Sequence, residues 1–228
     1  MTDALSVTVA VACGYLLGSI PTAYLLARWR RGIDIRRYGS GNVGASNVGR
    51  HVGRAYFAAV VAFDMLVKGA GSVVVARALG LELPFQVLAA LAAVAGHNWS
   101  VFLWFAGGRG LAVIGGGLLI LAWRELLISL AVALLGGRAF RSNALWFGIA
   151  MVLLPLEALL LREAVPVVFF CAATLAATIL KRLLSNPDAA APRPRWRDVA
   201  LPRLLYDRDT WEARDWVDRT PEDAGHTP

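Results

Sequence analysis

The 228-residue chain is 57% hydrophobic and only 17% charged, with a mean hydropathy of +0.57. Ordinary soluble domains are about 45–50% apolar and about 25% charged. The apolar residues here are gathered into long runs, which excludes a soluble globular domain. Residues 1–180 carry fourteen basic and seven acidic side chains and residues 181–228 carry nine of each, so the net charge of +7 resides in the apolar part. Basic residues between membrane spans set topology or meet anionic head groups, and no nucleic acid is expected as a partner. Cys13 and Cys171 lie inside apolar runs. They read as small core residues, and no metal site and no cofactor is expected.

A helix needs about 20 apolar residues to cross the hydrocarbon core. Residues 4–27, 55–76, 84–105, 144–161 and 165–180 with its flanks predict five spans. The first run follows Asp3 with no basic residue before it and is too long for a signal-peptide core, so it predicts a retained span. Residues 111–135 are apolar except for Arg124 and Glu125 in the middle. Read as one helix, that run places a charged pair near the bilayer centre at about 2.5–3.5 kcal/mol per charge. Read as two short helices turning at Trp123-Arg124-Glu125, it buries no charge.

Loop charges favour the two-helix reading. One side then receives Arg28, Arg30, Arg31, Arg36, Arg37, Arg50, Arg54, Arg109, Arg138, Arg141, Lys181 and Arg182. The other receives Asp3, Glu82, Arg124 with Glu125, and Arg162 with Glu163, leaving Arg77 as the unmatched cation. Positive charge collects on the cytoplasmic side. The expectation is therefore an all-α, polytopic integral membrane helical bundle of about seven transmembrane helices, with its N-terminus outside. Residues 1–185 form the transmembrane domain, and 186–228 a polar cytoplasmic tail. Pro187, Asp188, a run of Ala, Pro192 and Pro194 suit a linker. Beyond it, Trp196, Leu204, Tyr206, Trp211 and Trp216 offer docking surface, and a short amphipathic helix is expected around 209–217.

Two loops on the basic side have a composition that mere connection does not require. The first contains Gly39, Ser40, Gly41, Asn42, Gly44, Ser46, Asn47 and Arg50. Glycines let backbone N–H groups form an anion-binding concavity, Ser and Asn add donors, and Arg offers a planar fork that fits phosphate. A plain helix–helix connection needs about two to eight residues, far fewer than the stretch between the first two apolar runs. The second loop runs from His97-Asn98-Trp99 to Gly107-Gly108-Arg109-Gly110 and leads directly into a helix. Backbone donors, a helix dipole and a cation meet there. His97, at the end of an apolar run, reads first as a packing residue. Asp64 and Lys68 are four apart inside a span and predict a structural pair. Glu157 has no local partner and is a candidate functional carboxylate.

Gly18-Ser19-Ile20-Pro21, the first loop with Arg50, Asp64/Lys68-Gly69, Gly96-His97 and Gly107-Gly108-Arg109-Gly110 together resemble the bacterial acyl-phosphate:glycerol-3-phosphate acyltransferases. The resemblance covers residues 14–113. It implies a multi-pass enzyme of the bacterial plasma (inner) membrane that moves a fatty acyl group from acyl phosphate to the 1-hydroxyl of glycerol 3-phosphate. The product, lysophosphatidate, enters phospholipid biosynthesis, and the partners implied are acyl phosphate, glycerol 3-phosphate and membrane lipids. The family's essential Ser and Arg fall on Ser40 and Arg50, its first-loop Thr on Ser46, and its phosphate-binding Lys on Arg109. Its Thr after the glycine-rich loop is Val113. Its C-terminal His and Asn align with Ala176 and Ile179, which carry no polar group. Arg138, Arg141 and Ser142 stand in for a family Arg and Ser. The alternative reading is an inactive or retasked paralogue that binds an anionic lipid or other phosphate-bearing ligand.

Overall fold

The computed structural model describes residues 3–185, 195–211, 218 and 220, and its regular elements are all helical. Helix α1 (Ala4–Ser19) is capped by Asp3, whose carboxylate accepts the Leu5 N–H at 3.1 Å. The expected single span over 4–27 breaks at Pro21, which cannot donate a backbone hydrogen bond and crowds the preceding turn. Helix α2 (Thr22–Arg31) follows, and its last turn carries Arg28, Arg30 and Arg31 at the negative end of the helix dipole. After the first loop and the short helix α3 (Ala45–His51) comes a continuous rod. It is built of α4 (Arg54–Ala62), a π-helical segment (Phe63–Ala70) and α5 (Gly71–Ala78).

Helix α6 (Leu83–Asn98) begins with Pro84 in its first turn, where the missing N–H costs nothing. Residues 111–135 form two helices, α7 (Leu111–Leu121) and the start of α8 (Trp123–Phe140), separated at Ala122. The expectation that this turn buries no charge is corrected. Arg124 pairs with Glu163 at 2.5 Å, whereas Glu125 is fully buried in the first turn of α8, beside that helix's positive end. Helices α9 (Asn143–Leu160) and α10 (Val165–Leu184) complete the bundle, and α11 (Trp196–Tyr206) docks at the end of α10. Glu157 finds its partner across the α8–α9 contact, where Ser129 Oγ donates to it at 3.2 Å. A tail helix is present at 196–206, a stretch for which no helix was expected. Residues 209–211 are not helical, while 212–217 and the proposed linker at 187–194 lie outside the described residues.

Among the described residues, five helical stretches are long and apolar enough to cross a membrane: Ala4–Arg31, Arg54–Ala78, Leu83–Leu103, Asn143–Leu160 and Val165–Leu184. Leu16, Leu88, Leu127, Leu135, Val152, Leu160 and Phe169 are exposed on helix faces, as a lipid-facing surface requires. Between lipid-embedded helices there is no hydrophobic driving force, so contact depends on small residues that bring backbones together. A Cβ on Gly14 or Gly18 would collide with the carbonyls of Ala89 or Ala93, and one on Gly96 with the Tyr15 carbonyl. Helices α1 and α6 therefore cross almost backbone to backbone. Gly69 on the π-helical segment and Gly116 on α7 do the same for that pair, through Val113 O and Met65 O. The core between α5, α6, α7, α9 and α10 is filled by Val73, Val94, Ile114, Leu154, Phe170 and Cys171. Cys13 and Cys171 are free thiols.

Gly96→Val is expected to overpack the α1–α6 crossing, costing about 1–3 kcal/mol. A thermal melt of the detergent-solubilised protein should show a lowered midpoint, with Gly80→Ala, a turn position open to solvent, as the milder comparison.

Candidate active site

The first loop is built around Asn47. Its buried side-chain amide donates to the carbonyls of Ile35 (3.1 Å), Tyr38 (2.9 Å) and Asn42 (3.1 Å), drawing three points of the loop together. Asp34 caps the single 3-10 turn Ile35–Arg37 and pairs with Arg36 at 2.6 Å. That hydrogen-bonded pair lowers the Asp34 carboxyl below its ordinary value and raises the Arg36 guanidinium above its own. Gly39 (φ 50°) and Gly41 (φ 66°) supply left-handed backbone on either side of Ser40, whose Oγ accepts the Asn42 N–H at 3.3 Å. Gly44 is extended and precedes α3. Beneath the loop, Ala23, Ile35, Val43, Val48, Val60 and Leu103 form a separate apolar cluster.

The second loop turns tightly on positive-φ residues Trp104 and Phe105 and returns to the end of α6, where the Gly108 N–H donates to His97 O at 3.0 Å. Ser100 Oγ donates to Ser19 O at 2.5 Å and Tyr15 OH to Trp99 O at 2.9 Å, tying this loop to α1. The two loops meet where the Val43 N–H reaches Gly107 O at 3.5 Å. Gly108 is wedged so that a Cβ would collide with the His97 imidazole and fall 2.8 Å from Val43 O. Gly110 (φ 75°) then starts α7. Gly18, Ser19, Pro21, Val43, Lys68, His97, Gly107 and Gly108 line one cleft, so motifs spread over ninety residues of sequence converge in space.

A buried polar network lies beneath that cleft. Lys68 Nζ pairs with Asp64 Oδ1 at 2.6 Å and lies 3.4 Å from His97 Nδ1, which is 3.8 Å from Asp64 Oδ2. The Asp64–Lys68 pair expected from spacing is present, with His97 as its third member. His97 acts on the loop by packing against Gly108. Around the cleft, the buried Ser19 Oγ, the buried Asn98 amide and Asn42 Oδ1 make no hydrogen bond with the described residues. Buried polar groups ordinarily find partners; of these three residues Ser19 lines the cleft itself.

Arg109 is 8% exposed and its Nη1 donates to Lys181 O at 3.1 Å, while its Nε forms a 2.6 Å ion pair with Asp207. Arg50 is half exposed and pairs with Asp218 at 2.5 Å. Ser46 faces solvent in the first turn of α3. Asn47, expected to meet substrate, spends its amide on the loop's own carbonyls because those carbonyls have no regular secondary structure to satisfy them. Ser142 precedes α9, and none of its described contacts reaches either glycine-rich loop; Arg138 and Arg141 are exposed and form no ion pair among the described residues. Ala176 and Ile179 face outward on α10, while Thr174, Thr178, Lys181 and Arg182 face inward. Sequence reading passed over this inward stripe, although its three- and four-residue spacing is a helical face. Lys181 brings its Nζ to 5.6 Å from the Trp99 ring centre, against the second loop. Asp207 had no local signal at all.

The sequence profile described as glycerol-3-phosphate acyltransferase matches residues 8–189. The chain belongs to this family. It is 40% identical over 217 residues to "Glycerol-3-phosphate acyltransferase 4" of Dehalococcoides mccartyi (strain CBDB1), covering 92% of this chain and 93% of that one. A relative in Synechococcus sp. (strain CC9902), "Glycerol-3-phosphate acyltransferase", is 49% identical over 119 residues, or 52% of this chain and 59% of the relative. The crystal structure of PlsY (YgiH), an integral membrane glycerol 3-phosphate acyltransferase, in its glycerol 3-phosphate form superposes with a TM-score of 0.73. Its identity is 31%, with 78% of this chain and 88% of that chain covered; the lysophosphatidic acid form gives 0.71. With that match and its apolar helices, the protein is a membrane protein.

Removing one member of the buried Asp64–Lys68 pair strands the other charge, a loss of about 3–5 kcal/mol. Asp64→Asn and Lys68→Met should each lower the melting midpoint strongly. The double variant should lie well above the sum of the two losses.

Proposed function

We propose that this acyltransferase moves a fatty acyl group from acyl phosphate to the 1-hydroxyl of glycerol 3-phosphate, forming lysophosphatidate and releasing phosphate. The observation that carries the reading is the joining of the two glycine-rich loops at Val43–Gly107, with Arg109 buried beside the junction. The family and the likeness to PlsY in its glycerol 3-phosphate and lysophosphatidic acid forms support it.

Acyl phosphate is already an activated anhydride, so no enzyme nucleophile is needed. The glycerol oxygen forms the new bond to the acyl carbon as the bond from that carbon to the phosphate oxygen breaks, and the hydroxyl proton leaves with the departing phosphate. The protein's task is to hold two phosphate-bearing molecules together, align hydroxyl with carbonyl and neutralise the charge of the departing phosphate. In this reading Arg50 and Arg109 carry the charge work and N–H groups of Gly39, Gly44 and Gly110 bind phosphate oxygens, while those of Gly41, Asn42 and Gly108 hold the loops in shape through Tyr38 O, Ser40 Oγ and His97 O. Ser40, held by the left-handed glycines beside it, orients the reacting groups. Ser19, whose buried Oγ makes no hydrogen bond with the described residues, lines the same cleft. Asn47 and His97 serve by shaping the loops, and Ser46 and Ser142 lie at the periphery.

The same reading places the protein in the bacterial inner membrane with seven spans. Its short member is α7, and Arg124, Glu125 and Arg138 keep the full-length α8 from being uniformly apolar. Both loops and the polar segment after residue 185 then face the cytoplasm, and the N-terminus faces outward. This side supplies water-soluble glycerol 3-phosphate, while the acyl chain enters from the bilayer between helices.

Purified protein given acyl phosphate and glycerol 3-phosphate should produce lysophosphatidate, followed by chromatography of labelled product. Ser40→Ala/Arg50→Ala should reduce turnover by at least about a hundredfold, and wild-type formation no faster than that of the double variant would sink the assignment.

A further inference from the structure

The family match stops at residue 189, yet the structure builds the neighbourhood of Arg109 partly from residues beyond it. Helix α11 is fixed to the end of α10 by cation–carbonyl contacts in both directions. Arg182 Nη1 donates to Leu204 O at 2.7 Å and Arg203 Nη1 to Leu183 O at 2.9 Å. Arg203 is itself held by Asp209 at 2.5 Å, with both side chains largely buried. These contacts use one last-turn carbonyl of each helix, Leu183 O of α10 and Leu204 O of α11, where such groups lack a partner inside their own helix. The chain leaves α11 through Asp207, a left-handed residue (φ 56°) whose N–H closes the turn on Arg203 O at 3.0 Å. Asp is one of the few side chains that tolerate this backbone. The turn delivers its carboxylate to Arg109 Nε.

We propose that Asp207 is a positioning residue for the acyl transfer: with Lys181 O on the other edge, it holds the Arg109 guanidinium in the orientation that receives a substrate phosphate. The proposal rests on the reading of Arg109 as a phosphate ligand. Arginine presents five donors in one rigid plane. Asp207 Oδ1 lies 2.6 Å from Nε as an ion pair without hydrogen-bond geometry, and Nη1 donates to Lys181 O, so the guanidinium is held by a charge contact and a hydrogen bond from two different elements. A long side chain held in place beforehand does not lose its rotamer freedom when the phosphate arrives. The carboxylate also repels a phosphate, but among the described residues it stands beside three buried cations, Arg109, Lys181 and Arg182.

The two tail aspartates differ in kind. Asp218 on Arg50 is an exposed pair, 46% and 64% accessible, and such pairs contribute little. Asp207 on Arg109 is enclosed, at 22% and 8%, and is mounted on the anchored α11. A removable plug would need a weakly held carboxylate; Asp207 is built in.

The test uses the full-length protein in detergent and measures KM for glycerol 3-phosphate and for acyl phosphate separately. Arg109→Ala should raise one of the two by tenfold or more and so identify the phosphate that Arg109 holds. Asp207→Asn should raise the same KM by about tenfold and leave the other in place, with partial recovery in Asp207→Glu. In the Arg109→Ala background, Asp207→Asn should add nothing, because its effect passes through Arg109. The proposal is overturned if Asp207→Asn leaves both KM values unchanged or adds its full effect to Arg109→Ala. A lowered KM overturns it too, since Asp207 would then compete with phosphate. Asp209→Asn, which loosens α11 without touching Arg109, separates positioning from docking: an equal rise in the same KM would assign the effect to the tail's attachment. If Arg109→Ala changes neither KM, the phosphate reading of Arg109 itself fails, an outcome distinct from all of these.

Discussion

In an apolar solvent, burying leucine against leucine gains nothing over leaving it in lipid, so the arrangement of this bundle depends on how closely backbones can approach. Gly14, Gly18 and Gly96 let α1 and α6 cross nearly in backbone contact, and Gly69 and Gly116 do the same for the π-helical segment and α7. The α1–α6 crossing lies close to the second glycine-rich loop. Gly18 stands one residue before Ser19, and Gly96 stands one before His97. The close approach therefore brings together the chain segments from which both glycine-rich loops hang. A bulkier residue at any of these positions separates the helices and the loops with them.

The second organising feature is how charge is accommodated. Asp64, Lys68 and His97 form a closed group in the interior, and the π-helical segment that carries the first two is a widening of the helix of a kind often found at functional sites. The group underlies Gly108, so its integrity is transmitted to the second loop by contact with the His97 ring. At the end of α10, by contrast, the buried cations Lys181 and Arg182 face Arg109 and are balanced by the Asp207 carboxylate and by backbone carbonyls. One group is neutralised internally and supports the fold. The other, among the described residues, sets one carboxylate beside three cations.

An apolar cavity of about 270 Å³ between α9, α10 and α11 adjoins this second cluster, lined by Leu145, Met151, Leu175, Thr178, Ile179 and Leu204. It shows how the outward turn of Ile179 and the docking of α11 reshape the end of α10. Ala176 and Ile179 lack polar groups, yet they occupy the outer face of their helix, where a polar group would meet apolar surroundings. The inward positions of the same turns carry Thr178, Lys181 and Arg182.

Much of this was legible in one dimension. Apolar runs of membrane-crossing length, Pro21 and Ala122 aside, mark the main helices, since a backbone in lipid has no alternative to helix. The glycine-rich loops were recognisable because positive φ and close approach demand glycine whatever the rest of the chain does. The Asp64–Lys68 pair followed from helical spacing. What sequence could not show was direction and distance. Asn47 looked like a ligand-binding amide but is consumed by its own loop, Glu125 looked peripheral but is enclosed, and His97 gained its role only from Lys68 and Gly108. Asp207 reaches Arg109 across ninety-eight positions, a meeting that no local pattern encodes. By itself the sequence determined which segments are helical, where the backbone must bend and which residues have chemistry to offer. Only the tertiary structure decided which of them face one another, because partner choice depends on how helices cross, and that is set by contacts between residues far apart in the chain.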